Sequence, residues 1–136
     1  GVIRDYEYLR WRLQRPGATY QLFEYRDGSG KLIVFAVYEL VMKDYTNKIT
    51  LKEAADLCNL SESAFSRYFK SRANQSFSDF LSQVRIHQAC KLLQEDQLNI
   101  SQVCFECGFF TLSNFNRQFK ERMGKTPLEY RNEFLR

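Results

Sequence analysis

Phe65-Ser66-Arg67-Tyr68-Phe69-Lys70-Ser71-Arg72 and Phe115-Asn116-Arg117-Gln118-Phe119-Lys120-Glu121-Arg122 are two copies of one pattern. The offset is 50, and five of the eight positions are identical. Phenylalanines four apart lie on one stripe of a helix, so each copy predicts a helix with a buried aromatic edge. The match extends outward. Asn74 falls on Gly124 and Phe80 on Tyr130. Asn and Gly both tolerate a left-handed backbone, so the turn chemistry repeats as well. Upstream, Leu51–Ala55 falls on Ile100–Cys104 with an offset of 49, which gives the second copy one extra residue in its turn. Each copy is a short helix, a tight turn and a second helix, which is a helix-turn-helix unit.

Local signals place the remaining elements. Thr50 and Glu53 have the spacing of a capping box and open a helix over Leu51–Cys58, with Leu51, Ala54, Ala55 and Cys58 expected inward. Asn59 is a turn residue, and Ser61 caps a helix to about Arg72. Ser76 opens a longer helix to about Gln94. Ile100 or Ser101 opens a short helix to Cys107, broken at Gly108; a helix over Ser113–Arg122 is broken at Gly124; Thr126-Pro127 opens the last. Toward the N-terminus, Arg4–Gln14 reads as a helix stopped by Pro16-Gly17. Thr19–Tyr25 reads as one or two turns, Arg26–Gly30 as a loop and Lys31–Tyr45 as a helix.

The expected fold is therefore all-α: two helix-turn-helix subdomains, about 50–73 and 100–123, joined by a linker helix of about 76–94, with an N-terminal helical extension. Residues 1–30 are expected to be a helical linker, and 31–136 the principal domain.

Composition narrows the function. The 136 residues carry 20 basic and 16 acidic side chains, a net charge of +4 that suits a nucleic-acid partner. Residues 1–45 hold 7 basic and 6 acidic side chains, leaving +3 for the remainder. Only 2 Pro and 6 Gly argue against a turn-rich β fold. The longest apolar run, Leu32–Tyr38, is seven residues, far short of a membrane span. No secretion signal precedes Cys58, Cys90, Cys104 and Cys107, so reduced thiols and a cytoplasmic location are expected.

The second helix of each unit has a polar face opposite its phenylalanines. It carries Ser63, Ser66, Arg67 and Lys70 in the first copy, and Ser113, Asn114, Asn116, Arg117 and Lys120 in the second. Arg can bridge O6 and N7 of guanine, and Asn can bridge N6 and N7 of adenine, so such a face fits a major groove. Helix starts at Ser61 and near Thr111 offer free N–H groups to phosphates. Lys70, Arg72, Lys120, Arg122 and Lys125 are expected beside phosphates, where contacts add affinity without sequence information. A 19-residue linker helix is about 28 Å long. Adjacent major grooves on one face are about 34 Å apart. The units repeat by translation, so the expected target is asymmetric or a direct repeat.

The stretch Gly108-Phe-Phe-Thr-Leu-Ser-Asn-Phe-Asn-Arg-Gln-Phe-Lys-Glu-Arg-Met-Gly-Lys-Thr-Pro-Leu-Glu-Tyr-Arg131 closely resembles the signature of the AraC/XylS family of bacterial transcription regulators. Gly-Phe at the turn, Ser-x-Phe-x-Arg-x-Phe-Lys on the helix, Gly-x-Thr-Pro and a closing Tyr-Arg carry the likeness, which runs from about Lys31 to Phe134. The resemblance implies a seven-helix DNA-binding domain with recognition helices at Ser61–Arg72 and Ser113–Arg122. By position it puts base contacts on Ser63, Ser66 and Arg67, and on Ser113, Asn114, Asn116 and Arg117. The first unit departs from the pattern in having Asn74 where Gly is usual. The resemblance further implies transcription control, most often activation, on double-stranded DNA. RNA polymerase is an expected partner, as is an effector bound by a domain preceding this region, and a homodimer formed through the N-terminal region. The chain is thus expected to be the DNA-binding end of a longer regulator, with residues 1–30 a helical linker or the remnant of a sensor or dimerisation domain and 31–136 the DNA-binding domain.

Rival readings stand beside these. Cys104-Phe-Glu-Cys107 is a C-x-x-C, but a zinc site needs two more ligands and His87 is the only histidine, so neither metal nor cofactor is expected. Cys58 and Cys90 read as small hydrophobes. His87 has no Ser, Cys or carboxylate constellation around it in sequence, and no enzyme activity is expected. Arg85, on the linker helix, reads equally as a structural donor or a DNA contact. Tyr6, Leu9, Trp11 and Leu13 form either a dimer surface or core. The alternative function is a protein-interaction module that keeps the helix-turn-helix units and has lost specific DNA binding.

Overall fold

The computed structural model describes residues 39–136 and Val37; the expected Arg4–Gln14 helix, the Thr19–Tyr25 turns and most of the Lys31–Tyr45 helix lie outside these residues. Val37 and residues 39–44 are helical and lead into a loop. Six helices follow: α1 (Leu51–Leu57), α2 (Glu62–Ala73), α3 (Phe77–Glu95), α4 (Ile100–Glu106), α5 (Leu112–Met123) and α6 (Pro127–Phe134). Among the described residues there are no strands. The residues fall into two compact units. The first includes Ile49–Leu81, and the second comprises Tyr45–Lys48 and Ser82–Arg136.

In the first unit Ala54 and Ala55 are the buried residues of α1, and their small side chains let α2 approach. Leu51 and Cys58, expected inward, are half-buried. The seven-residue helix spans about two turns, and its apolar stripe is only two residues wide at the seam. Phe65 and Phe69 from α2 meet Phe77 and Phe80 from α3, with ring centroids 5.5–5.7 Å apart. Tilted and edge-on pairs at this separation are attractive beyond their burial.

The second unit repeats the plan. Val103 and Cys104 are the buried residues of α4. Phe109, Phe115 and Phe119 meet in turn, tilted and edge-on, with ring centroids 5.3 and 5.8 Å apart, and Tyr130 of α6 meets Phe119 at 5.6 Å. Ile86, Ala89, Cys90 and Leu93 of α3 complete this core.

Both turns are Schellman motifs. Asn59 takes a φ of 57°, its N–H reaches the Asp56 carbonyl at 3.1 Å, and the Leu60 N–H reaches Ala55 at 3.0 Å. Gly108 takes a φ of 100°, with the equivalent bonds from Gly108 to Phe105 at 3.2 Å and from Phe109 to Cys104 at 3.1 Å. The second turn is one residue longer before its cap, Thr111 against Ser61, as the change of offset predicts. Asn74 (φ 57°) and Gly124 (φ 77°) are matching left-handed C-caps, bonded to Lys70 and Lys120.

The N-caps follow the sequence with one difference. Thr50, Ser61, Ser76, Thr111 and Thr126 each accept from the N–H three residues on. The reciprocal capping box forms at Asn99 and Gln102, bonded at 2.8 and 2.9 Å. That pair is Asn-x-x-Gln, and it fixes the start of α4 at Ile100.

Two arginines close the second unit from within. Arg85 Nε donates to the Tyr45 carbonyl at 2.8 Å and Nη2 to the Asn47 carbonyl at 2.8 Å, so its role here is structural. Arg131, only 8% exposed, donates from Nε to the Leu93 carbonyl at 3.0 Å and lies 3.6 Å from Asp96. Its guanidinium satisfies carbonyls at the end of α3 that have no helical partner.

The thiols are free. Cys107 is fully buried, and its Sγ donates to the Cys104 carbonyl at 3.4 Å. Burial, and secondarily Cys104, push its thiol up to about 12. In the unfolded chain a thiol titrates near 8.5. Above that pH the unfolded state releases its proton first, so folding stability falls as pH rises toward 12. Cys107 accounts for at most about 1.4 kcal/mol per pH unit of this fall. Urea unfolding at pH 8 and pH 10 measures it. Cys107→Ala should flatten the decline, and an equally steep decline in that variant would refute the assignment.

Candidate nucleic-acid interface

The two second helices expose the same face. From Ser61 to Arg72 and from Thr111 to Arg122 the pattern of buried, half-buried and exposed residues is identical position for position. Phe65 and Phe69, like Phe115 and Phe119, are buried. Ser63, Ser66 and Arg67 are exposed, as are Ser113, Asn116 and Arg117, while Asn114 is half-buried. The structure therefore brings each predicted base-reading set together on one solvent-facing stripe of its own unit. Lys70, Arg72, Lys120 and Arg122 are exposed in the last turns. Cations there also offset the helix dipole.

The helix entries are alike in capping and unlike in charge. Ser61 Oγ accepts from Ala64 N–H at 3.1 Å, and Thr111 Oγ1 from Asn114 N–H at 3.2 Å. The N–H groups ahead of these have no intrahelical acceptor, which suits a phosphate oxygen. The first turn of α2 carries Glu62, whereas that of α5 holds no acidic residue and begins at Leu112. Sequence reasoning took the entry of α5 as a phosphate site and passed over its apolar surface, where Phe110 is 63% and Leu112 39% exposed. Leu112 standing opposite Glu62 in the repeat was the available signal.

Several predicted contacts already have partners. Arg117 donates from Nη2 to Asn114 Oδ1 at 2.7 Å and from Nη1 to Glu121 Oε1 at 3.4 Å. Arg72 lies over the Tyr68 ring, 5.4 Å from its centroid. Lys125 is ion-paired with Glu133. The Lys125 cation is thus already engaged within its own unit. Cys104 and Cys107 lie in the core, and no group of three metal-ligating side chains occurs among the described residues.

A family model described as a helix-turn-helix domain matches residues 54–133, which takes in both units. The chain belongs to the AraC/XylS family. Among relatives of this AraC-type chain, an uncharacterized HTH-type transcriptional regulator, YdeC of Bacillus subtilis, is 36% identical over 87 residues, covering 64% of this chain and 30% of the relative. The msm operon regulatory protein of Streptococcus mutans is 28% identical over 110 residues, 81% of this chain and 40% of that protein. The chain thus spans between about a third and two fifths of the length of these relatives. The C-terminal domain of AraT, a response regulator from Geobacillus stearothermophilus, superposes with a TM-score of 0.69 at 29% identity, covering 74% of this chain and 84% of that one. The DNA-binding domain of AdpA in complex with a target DNA shares the fold, with a TM-score of 0.66 at 22% identity over 80% of this chain and 94% of that one. The AraC-type fold expected from the signature is the fold observed.

Proposed function

We propose that this AraC-type chain is a sequence-specific DNA-binding module of a transcription regulator, with α2 and α5 each entering a major groove. The observation that carries the reading is the repeated exposed face of Ser, Asn, Arg and Lys on two helices with identical burial. Ser63, Ser66, Arg67, Ser113, Asn116 and Arg117 are the proposed base-reading residues. Ser61, Lys70, Arg72, Thr111, Lys120, Arg122 and Lys125 are the proposed phosphate contacts. The relatives' names, YdeC's and the msm operon protein's among them, support regulation, and the AdpA complex supports DNA as the ligand. The same reading gives the chain a cytoplasmic location, RNA polymerase as a protein partner and activation as the regulatory outcome. It places effector binding and dimerisation outside residues 31–136, which form the DNA-binding domain. It assigns no catalytic step to the chain.

The test is selection from a random-sequence DNA library at two salt concentrations. The expected product is a motif of two segments about one helical turn apart. One phosphate neutralised by each of Lys70, Arg72, Lys120 and Arg122 predicts a slope of log affinity against log salt of roughly −4. A motif-free pool with the same slope would leave a basic domain without base readout, and no binding would move the reading to a protein-interaction module. Arg117→Ala should lower affinity for the selected motif by about 1–3 kcal/mol and relax preference at one position. Equal weakening on every sequence would make Arg117 a phosphate contact.

A further inference from the structure

We infer that Asn114 is a positioning residue that holds the Arg117 guanidinium for base readout, rather than a base reader itself; the inference rests on the DNA-binding reading above. Asn114 Oδ1 accepts from Arg117 Nη2 at 2.7 Å, and Glu121 Oε1 accepts from Nη1 at 3.4 Å. The three residues are spaced three and four apart, so they line one face of α5. The orientation of the Asn114 amide follows from the bond, because only its oxygen can accept from a guanidinium. Adenine recognition by Asn needs that same oxygen together with the amide nitrogen. Reading a base would therefore require the oxygen to use its second lone pair without turning away from Arg117, whose charge-assisted bond is the stronger kind. Two bonds leave Arg117 three of its five N–H donors for a base edge. A side chain already held loses less rotamer freedom on binding.

The first unit lacks the device. The repeat places Ala64 and Ser71 where the second unit has Asn114 and Glu121. Ala64 has no polar side-chain atom, and the Ser71 hydroxyl donates to the Tyr68 carbonyl at 2.9 Å. The two arginines at matching positions are thus supported differently, and the second unit is the one built for a fixed Arg–base contact.

The test is a double-mutant cycle on the 136-residue chain, read by random-library selection. Asn114→Ala should cut base preference at the position Arg117 reads by roughly threefold to tenfold. Arg117→Ala should abolish that preference, and adding Asn114→Ala should change nothing further. The melting temperature of Asn114→Ala should hold, since the cap bond uses the Asn114 backbone and Ala is the better helix former. Asn114→Asp keeps an acceptor for the guanidinium and should restore the preference while weakening all sequences, because it adds negative charge near phosphates. Additive losses, or a lost preference at a second base pair, would make Asn114 a reader and overturn the inference. A wild-type chain that enriches no motif would instead overturn the DNA-binding reading, and this inference with it.

Discussion

Replacing Gly108 with Ala should destabilise the second unit by about 2–5 kcal/mol. Two effects add. A φ of 100° places any Cβ in a region that L side chains rarely adopt, worth roughly 1–2 kcal/mol. The added methyl would also sit 2.3 Å from the Tyr45 carbonyl oxygen and 2.9 Å from Arg85 Nε. The oxygen belongs to backbone and is already bonded to that same Arg85, so neither neighbour yields without breaking the other. Overpacking of this kind adds roughly 1–3 kcal/mol. Gly124→Ala is the control. Its φ is 77°, but nothing lies within 4 Å of the new methyl, so only the backbone strain remains. Urea unfolding of both variants, followed by a probe in residues 82–136, separates the collision from the strain. Equal losses in the two would show that the Gly108 turn does not need its close approach.

Phe119→Ala should remove a similar amount, about 3–5 kcal/mol. The side chain is fully buried and contacts Phe115 and Tyr130 at centroid distances of 5.8 and 5.6 Å. The adjoining rings are held by their own packing, so the space closes only in part. The proposed recognition face opposite would lose its support, so specific DNA affinity should fall with stability. An unchanged melting temperature would refute the core assignment. Phe69→Ala is the matching test of the first unit, where Phe65, Phe77 and Phe80 surround the ring.

The repeat was legible because it is written in residue types with one physical use each. Phenylalanines four apart can only bury one stripe, and Asn or Gly after the last turn fits a left-handed cap. Ser and Thr before the first turn fit N-caps. Those choices are local, so helices, turns and the exposed Ser, Asn, Arg and Lys faces could be placed by number. Even the longer second turn followed from an offset that changes from 49 to 50.

What the sequence left open involves residues far apart in the chain. Arg85 read equally as structural or DNA-facing until its bonds to Tyr45 and Asn47, 40 and 38 positions away, were visible. The need for glycine at 108 comes from the Tyr45 carbonyl across the same unit, which no turn rule contains, and Asn59 at the equivalent turn carries a side chain. Arg131 looked like part of a signature and proves to satisfy the end of α3. The sequence by itself determined the helices, their repeat and the chemistry of their exposed faces, because spacing and capping are properties of a few neighbouring residues. Only the tertiary structure decided which arginines are spent on carbonyls and which thiols are sealed in the core. Those outcomes depend on which backbone groups folding leaves without partners and which side chains it brings together from distant parts of the chain.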